Sequence, residues 1–132
     1  MGYKIDYHIK GDFLKVILAG DYPLEKFQEI SNDVNRVIDE NGIGKVLIDI
    51  REFKGRFGVF DGLNTVENFR EESKFLNMAI LDIPYNKTNN DFFENASQNR
   101  GYKLLFFYKE EDAIKWLNVL NEEFEKVLVK EY

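Results

Sequence analysis

Three short apolar runs, separated by segments with helical periodicity, constrain the fold of this chain more than any other feature. The runs are residues 45–50 (KVLIDI), 75–82 (FLNMAILD) and 102–108 (YKLLFFY). Their nearly uniform apolar character is typical of central strands that are covered on both faces. A helix between consecutive runs would connect parallel strands by right-handed crossovers. The sequence therefore predicts an α/β fold with a largely parallel sheet.

The first part of the chain predicts a β-hairpin. Residues 3–9 (YKIDYHI) and 13–19 (FLKVILA) are rich in β-branched and aromatic residues, and the sequence Lys-Gly-Asp separates them. Glycine in such a short connection is a hairpin signal. With this N-terminal hairpin, the predicted sheet is mixed and has five strands.

Three segments between these strands predict amphipathic helices. In residues 21–42, apolar residues recur every three or four positions along one helical face. Shorter helices are expected within residues 61–73 and 91–100. In the latter, Asp91 is expected to cap the start, with Glu94 three residues further on.

A fourth helix is predicted after the last strand, which gives about four helices in all. Its first turn is acidic, which is the favourable sign at a helix N-terminus. An apolar stripe continues along the tail through Leu120, Phe124, Val127 and Leu128. We therefore predict a C-terminal helical extension at about residues 118–130. This extension either packs against a second copy of the protein in a homodimer or folds back on its own domain.

Size and composition limit the class of protein. A chain of 132 residues with 44% hydrophobic residues can bury one good core, so we predict a single domain over residues 1–132. The formal net charge of −6 disfavours a nucleic acid partner. The absence of cysteine excludes disulfides and thiol nucleophiles. Neither a signal peptide nor a transmembrane segment can be drawn, so we expect a cytoplasmic protein.

The sequence contains no motif for catalysis or for a cofactor. Local motifs do not assemble a nucleophile, a base and an orienting group, so no catalytic residue is predicted. The carboxylates lie where solvated helix faces and first turns would place them, so no metal site is predicted. Gly55, Gly58 and Gly62 fit neither the P-loop nor the dinucleotide-binding pattern, and a phosphate cradle is rejected. No cofactor is expected.

The segment at residues 51–64 (REFKGRFGVFDGLN) is the strongest candidate for a binding surface. It interleaves glycines with phenylalanines directly after an apolar run. The phenylalanines either pin the segment to the core or remain exposed to contact a partner, an anionic membrane surface or a small apolar ligand. Asp49 is a further candidate because ligands gather at the carboxyl ends of strands in open α/β sheets. The candidate binding residues are Asp49, Lys54, Arg56, Phe57, Phe60, Asp61 and Asn64.

The order of these segments resembles the SpoIIAA-like branch of the STAS domains (sulfate transporter and anti-sigma factor antagonist). The resemblance covers nearly the whole chain and is carried by KVLIDIREFKG, MAILD, FFENASQNRGY and LLFFYKEEDAIKWL. Its most specific part is a helix ending in Asn-Arg-Gly, followed by an apolar strand, an acidic turn and Ala-Ile-Lys-Trp-Leu. The resemblance implies the STAS/SpoIIAA-like fold.

The resemblance also implies a regulatory or protein-interaction module and not an enzyme. Modules of the anti-sigma antagonist type are switched by phosphorylation of a serine in the loop that matches residues 51–64. Here that loop has no serine or threonine; Asp61 stands near the position of the family's Asp-Ser motif, and Thr65 is the nearest hydroxyl. No phosphorylation is therefore expected. Because the branch is also linked with apolar ligands and membrane surfaces, the alternative function is a binder or carrier of a small apolar or lipid-like ligand.

Overall fold

A mixed β-sheet forms the centre of the fold. The structure is a computed structural model that describes residues 2–56, 58–119 and 126–132, without the side chains of residues 24, 59, 60 and 126–128. The strands are β1 (Tyr3–Lys10), β2 (Phe13–Asp21), β3 (Lys45–Lys54), β4 (Asn77–Leu81), β5 (Lys103–Phe107) and β6 (Lys126–Glu131). Within the described residues these six strands lie in the order β5-β4-β3-β2-β1-β6. β1 is antiparallel to both of its neighbours, and the remaining pairs are parallel.

Helices cover both faces of this sheet. They are α1 (Phe27–Asn41), α2 (Val59–Glu67), α3 (Lys87–Asn99) and α4 (Glu110–Leu117), and short 3-10 turns span Leu24–Lys26, Glu71–Phe75 and Pro84–Asn86. The first three helices lie on one face, where Ile30, Val66 and Phe93 join the main core. On the opposite face, Ala113 and Leu117 of α4 pack against the central strands.

The alternation of side chains along the central strands explains their uniform apolar character. In β3, Val46 belongs to the core under α1, α2 and α3, whereas the adjacent Leu47 belongs to the core under α4. Met78 and Ala79 of β4 divide in the same way. Successive residues of a strand point to opposite faces, so a sheet covered on both sides needs apolar residues at every position. The predicted α/β fold class is confirmed.

Strands β1 and β2 form the predicted N-terminal hairpin. Their register pairs Lys10 with Phe13, which leaves Gly11 and Asp12 in the turn. Gly11 has a φ of +57°, a left-handed conformation that glycine adopts without steric strain. The glycine that predicted the hairpin is therefore the residue that adopts the left-handed conformation in its turn.

Helix α4 is shorter than the sequence predicted. It ends at Leu117, and Asn118 follows in a left-handed conformation with a φ of 56°. The Asn118 N–H donates to the carbonyl of Lys115, which satisfies an acceptor of the last turn. Asparagine tolerates this conformation and often ends helices. Residues 120–125 of the predicted extension lie outside the described residues.

The predicted helical extension at residues 118–130 is wrong at its end, because Lys126–Glu131 form strand β6. This strand pairs antiparallel with β1, from Ile9 opposite Lys126 to Lys4 opposite Glu131. The outer edge of a hairpin presents backbone N–H and C=O groups that need partners, and a further strand supplies them. The sheet consequently has six described strands, one more than predicted.

The pairing of β6 with β1 also changes the argument for a homodimer. Lys130 Nζ lies 3.4 Å from a carboxylate oxygen of Asp33 on α1, and the Tyr132 hydroxyl donates to the same oxygen at 3.1 Å. The ring of Tyr132 stacks on that of Tyr3 at 4.9 Å. The last residues thus fold back on their own domain, as the second of the two alternatives held. The exposed apolar helix that argued for a dimer is replaced by a strand in residues 126–131.

Two boundaries near the candidate site also differ from the prediction. β3 continues to Lys54 and α2 begins at Val59, so residues 55–58 alone connect them. Helix α3 begins at Lys87, and Asp91 lies one turn inside it. The Asp91 carboxylate accepts a hydrogen bond from Lys87 Nζ at 2.8 Å and does not cap the helix. The segment 51–64 is therefore regular structure with a short connection.

Candidate functional site

A large cavity lies between the sheet and the three helices on its first face. Its volume is about 730 Å³, and its lining comes from β2 to β5 and from α1, α2 and α3. We call it the helix-face cavity. Pockets for small ligands are commonly about 300–1,000 Å³ in volume. The helix-face cavity falls within this range.

The floor of the helix-face cavity is apolar. Ile48 and Ile50 of β3 and Ile80 of β4 line it, together with Phe106 of β5. All four side chains are only partly buried, although β3 and β4 are inner strands of the sheet. Side chains at such positions are normally covered by packed helices. Here they present apolar surface to the cavity, and that surface favours an apolar occupant.

The rim of the helix-face cavity is polar. Side-chain amides dominate it, and each amide can both donate and accept hydrogen bonds. They come from all three helices and their ends, as Gln28, Asn32, Asn35, Asn64, Asn68 and Asn89. A molecule with an apolar body and one polar end would match this division between floor and rim.

A buried ion pair lies beside the cavity, which Arg56 lines and Asp82 does not. Asp82, which follows β4 directly, is fully buried, and Arg56 donates from Nη2 and Nε to its two oxygens at 2.6 and 3.3 Å. Asn90 of α3 and the Ile83 N–H donate to the same carboxylate at 2.9 and 2.7 Å. Burial alone would raise the pKa of Asp82. The hydrogen bonds from Arg56, Asn90 and Ile83 outweigh it and hold that pKa below its ordinary value.

The remaining donors of Arg56 fix the connection between β3 and α2. They reach the backbone carbonyls of Phe53, Gly55 and Ile50 at 2.7, 2.6 and 2.7 Å. Gly55 has a φ of +98°, and this conformation turns the chain after β3. The guanidinium is thus directed at atoms of its own chain, and its side chain is 14% exposed. Arg56 holds the connection against the carboxyl end of β4.

Aromatic rings form another wall of the cavity. Tyr22 meets Phe53 edge to face at 5.6 Å, and Phe27 lies tilted against Tyr22 at 6.3 Å. All three residues line the cavity. Burial, with a smaller effect from the negative charge of Asp61, raises the pKa of Tyr22 to about 12. The phenol is therefore neutral at physiological pH.

The structure separates Asp49 from the other predicted site residues. Asp49 lies on the α4 face of the sheet, where Arg51 donates to both of its carboxylate oxygens at 3.0 and 2.8 Å. Arg51 also lies 3.4 Å from Glu110 at the start of α4. The backbone N–H of Arg51 donates to Asp49 at 3.1 Å. Asp49 thus fixes the local backbone on the face away from the cavity.

Three of the other predicted residues, Arg56, Asp61 and Asn64, line the cavity. Asp61 and Asn64 of α2 line it, as does Thr65, whose hydroxyl donates to the carbonyl of Asp61 at 2.8 Å. Lys54 is exposed at the end of β3. Phe57 lies outside the described residues; the backbone of Phe60 lies in α2, but its side chain is not described. Three predicted residues, Arg56, Asp61 and Asn64, therefore line one cavity, and Thr65, for which no phosphorylation was expected, lines it as well.

Sequence reasoning missed Asp82 and Asn90. Asp82 ends the apolar run at residues 75–82, so it shares with Asp49 the signal of an aspartate at the end of a central strand. That signal could have identified Asp82 as a candidate. Asn90 gave no local signal, because its role depends on the approach of α3 to the end of β4.

Three apolar side chains are exposed between the end of β4 and the first half of α3. Ile83 and Tyr85 follow β4 and are 39% and 92% exposed, and Phe92 of α3 is 46% exposed and also lines the cavity. We call these three residues the α3 surface. Exposed apolar residues that lie together often mark sites of contact with other molecules.

Solved structures share this fold. An anti-sigma factor antagonist from Mycobacterium paratuberculosis is similar over 89% of this chain and 95% of its own, with a TM-score of 0.57 and 11% identity. A protein of the DUF3478 family with a SpoIIAA-like fold, from Shewanella loihica PV-4, is similar over 88% of this chain and 93% of its own, with a TM-score of 0.53 and 20% identity. No family model matches the sequence, and no curated protein matches it. The chain has the STAS/SpoIIAA-like fold that its sequence predicted.

The described residues contain neither a membrane-crossing helix nor a cluster of metal ligands. Each helix in residues 2–56, 58–119 and 126–132 is too short or too polar to span a bilayer. In the same residues, no three histidine, aspartate or glutamate side chains are grouped so that they could hold a metal ion.

Proposed function

We propose that this protein is a non-enzymatic binding module that holds a small apolar molecule in the helix-face cavity. The observation that carries this proposal is the partial burial of Ile48, Ile50 and Ile80 beneath a cavity of about 730 Å³. Protein interiors are normally packed as densely as organic crystals, and an apolar space of this size is rare without an occupant. Covering these side chains with a ligand would gain the free energy of burying apolar surface.

The test is saturable binding of a neutral apolar probe. Purified protein is titrated with Nile red, and decanol is then added as a competitor. We expect Nile red to bind with a defined stoichiometry and decanol to displace it. In the variant Ile48→Phe with Ile80→Phe, the added rings occupy the cavity, so Nile red should bind about tenfold more weakly or worse, a loss of about 1.4 kcal/mol. The unfolding free energy should not fall, because the rings enter existing space.

A matched control separates this effect from a general effect of larger side chains. Ile17 of β2 is partly buried and does not line the cavity, and it pairs with Asp6 of β1. Ile17→Phe should leave Nile red binding unchanged. Binding that does not saturate, or binding that survives in the double variant, would contradict the proposal.

A second candidate function is contact with a protein through the α3 surface and the adjoining segment 51–64. The specific observation is the exposure of Tyr85, at 92%, together with that of Ile83 and Phe92, which are close to it in the sequence. Tyrosine and phenylalanine are enriched at protein interfaces. A regulatory role by protein contact would agree with the fold that the chain shares with an anti-sigma factor antagonist, although 11% identity supports the fold alone.

Two surface variants distinguish this candidate. Tyr85→Ser with Ile83→Ser removes most of the apolar area of the α3 surface. Phe75→Ser is the control, because Phe75 is 85% exposed but precedes β4 and so lies at the opposite end of that strand. In crosslinking and affinity capture, a species retained by the wild type should be lost with the first variant and kept with the control. Loss with both variants, or with neither, would argue against this surface.

A further inference from the structure

In the part of the chain that the structure describes, the arginines that line the helix-face cavity are paired with carboxylates, whereas the carboxylates that line it are not paired with cations. The lining includes two arginines, and both are paired within the chain: Arg56 with Asp82, and Arg70 with Asp39 through two hydrogen bonds of 2.8 and 2.9 Å. The lining also includes two carboxylates, Glu25 and Asp61. Among the described residues neither has a cationic partner within ion-pair distance. Both carboxylates are exposed, so the part of the cavity that opens to solvent presents negative charge that the lining arginines do not compensate.

These carboxylates lie near the aromatic wall of the cavity. Glu25 belongs to the 3-10 turn between Tyr22 and Phe27, whose rings are 6.3 Å apart. On the other side, Tyr22 packs edge to face on Phe53. The charge of Asp61 contributes to the raised pKa of Tyr22, which is consistent with a position close to that ring. One end of the cavity thus combines aromatic rings with two carboxylates.

This combination is suited to a cation. The face of an aromatic ring attracts a positive charge, and aromatic rings with nearby acidic groups are an effective environment for an ammonium group. An anionic head would be repelled by Glu25 and Asp61, because no unpaired arginine among the described lining residues offsets their charges. The polar amides of the rim would accept either a cationic or a neutral head.

We infer that the helix-face cavity selects amphiphiles with a cationic, alkylammonium head, which lies between the aromatic wall and the carboxylates of Glu25 and Asp61. This inference rests on the proposed function, because the apolar tail must occupy the floor formed by Ile48, Ile50 and Ile80. It specifies the ligand class. Fatty acids and other anionic amphiphiles are excluded as preferred ligands.

Three ligands with the same tail test this inference. Decyltrimethylammonium, decanol and decanoate are each titrated into the full chain by isothermal titration calorimetry, below the concentrations at which they aggregate. We expect decyltrimethylammonium to bind about tenfold more tightly than decanol, the scale of one favourable cation–π contact with a nearby opposite charge. Decanoate should bind most weakly. The variant Glu25→Gln with Asp61→Asn should reduce the affinity for the ammonium to that for decanol and leave decanol binding unchanged.

The control variant removes the same number of charges elsewhere. Glu40 and Glu131 are exposed and do not line the cavity. Glu40→Gln with Glu131→Gln should keep the preference for the ammonium, because the net charge changes equally but the site does not. If both double variants lose the preference alike, the effect is one of net charge and the inference is overturned.

The outcomes separate this inference from the proposed function. Equal affinities for decyltrimethylammonium, decanol and decanoate would overturn the ligand class but retain the apolar site. A preference for decanoate would also overturn the ligand class and retain the apolar site. If none of the three ligands binds and Nile red does not saturate, both the inference and the proposed function fail.

Discussion

Arg56 connects three parts of the structure through a single guanidinium group. It binds the buried carboxylate of Asp82 and also donates to the carbonyls of Ile50, Phe53 and Gly55. A lysine has one point charge and no planar fork, and it could not make these contacts together. The conformation of the connection from β3 to α2 therefore depends on this one residue.

We expect Arg56→Met to destabilise the protein by about 3–5 kcal/mol, the usual result of removing one partner of a buried ion pair. The variant leaves the carboxylate of Asp82 buried with fewer donors. The measurement is urea unfolding monitored by circular dichroism. Arg100→Met is the matched control, because Arg100 pairs with Glu67 at 3.3 Å on the surface, where both side chains are largely exposed. It should cost less than about 1 kcal/mol, and equal losses in the two variants would contradict the role of Arg56.

The lowered pKa of Asp82 predicts a pH dependence of stability with a definite sign. The pKa is lower in the folded chain than in the unfolded chain, so the folded state binds fewer protons in this range. The stabilisation is complete above the unfolded pKa, about 3.9, and is lost as the pH falls through the folded value. Unfolding free energies of the wild type and of Asp82→Asn, measured from pH 6 down to pH 2.5, should converge at the acid end. A constant difference across this range would refute the prediction.

Strand β6 shows how one sequence pattern can fit two elements. The apolar residues of the tail recur at helical spacing, which predicted a continued helix, but Val127 and Val129 are also β-branched and two residues apart. The strand prevails because β1 offers an unpaired edge and because Lys130 and Tyr132 both contact Asp33 on α1. These contacts join distant parts of the chain, so local periodicity could not reveal them.

A pair of proline variants tests the ladder between β6 and β1. Tyr3 and Tyr132 exchange backbone hydrogen bonds, and the antiparallel alternation then directs the N–H of Lys130 toward β1 and that of Val129 away from it. Lys130→Pro should therefore destabilise the protein more than Val129→Pro, by about 1–3 kcal/mol. Lys130→Ala removes the same contact with Asp33 but keeps the backbone N–H, so its effect on stability is subtracted from that of Lys130→Pro. Equal effects of the two prolines in thermal unfolding would be inconsistent with this register.

The sequence predicted the elements of the fold better than it predicted the site. The order of strands and helices from β1 to α4 follows from the spacing of apolar residues and from local composition, which can be read from short stretches of sequence. The cavity could not be predicted, because Ile48 and Ile80 have the composition of fully packed strand residues and only the position of the helices leaves them partly uncovered. The pairing of Arg56 with Asp82 joins residues that are distant in sequence. Asp61 and Asn64 were identified as site residues because they belong to the segment 51–64, in which glycines and phenylalanines are interleaved directly after a central strand.

At the scale of the whole molecule, the two outer strands of the described sheet affect whether it can pair with the sheet of a second copy of the chain. Lys103 lies in β5 and Lys130 in β6, the strands at the two edges. Charged side chains on edge strands discourage pairing with another sheet. We expect sedimentation equilibrium at micromolar concentration to give the mass of one chain. A mass of two chains that persists in 0.5 M salt would instead support the homodimer.

The position of β6 also has a consequence for synthesis on the ribosome. β6 covers the outer edge of β1, yet these strands come from opposite ends of the sequence. The hairpin of β1 and β2 leaves the ribosome before β3, β4, β5 and β6, and the nascent chain must keep that edge from pairing with other chains until β6 appears. Closing so long a loop is also slow compared with local folding. Two charged residues of β1, the exposed Lys4 and the partly buried Asp6, would help to protect the nascent edge during this interval.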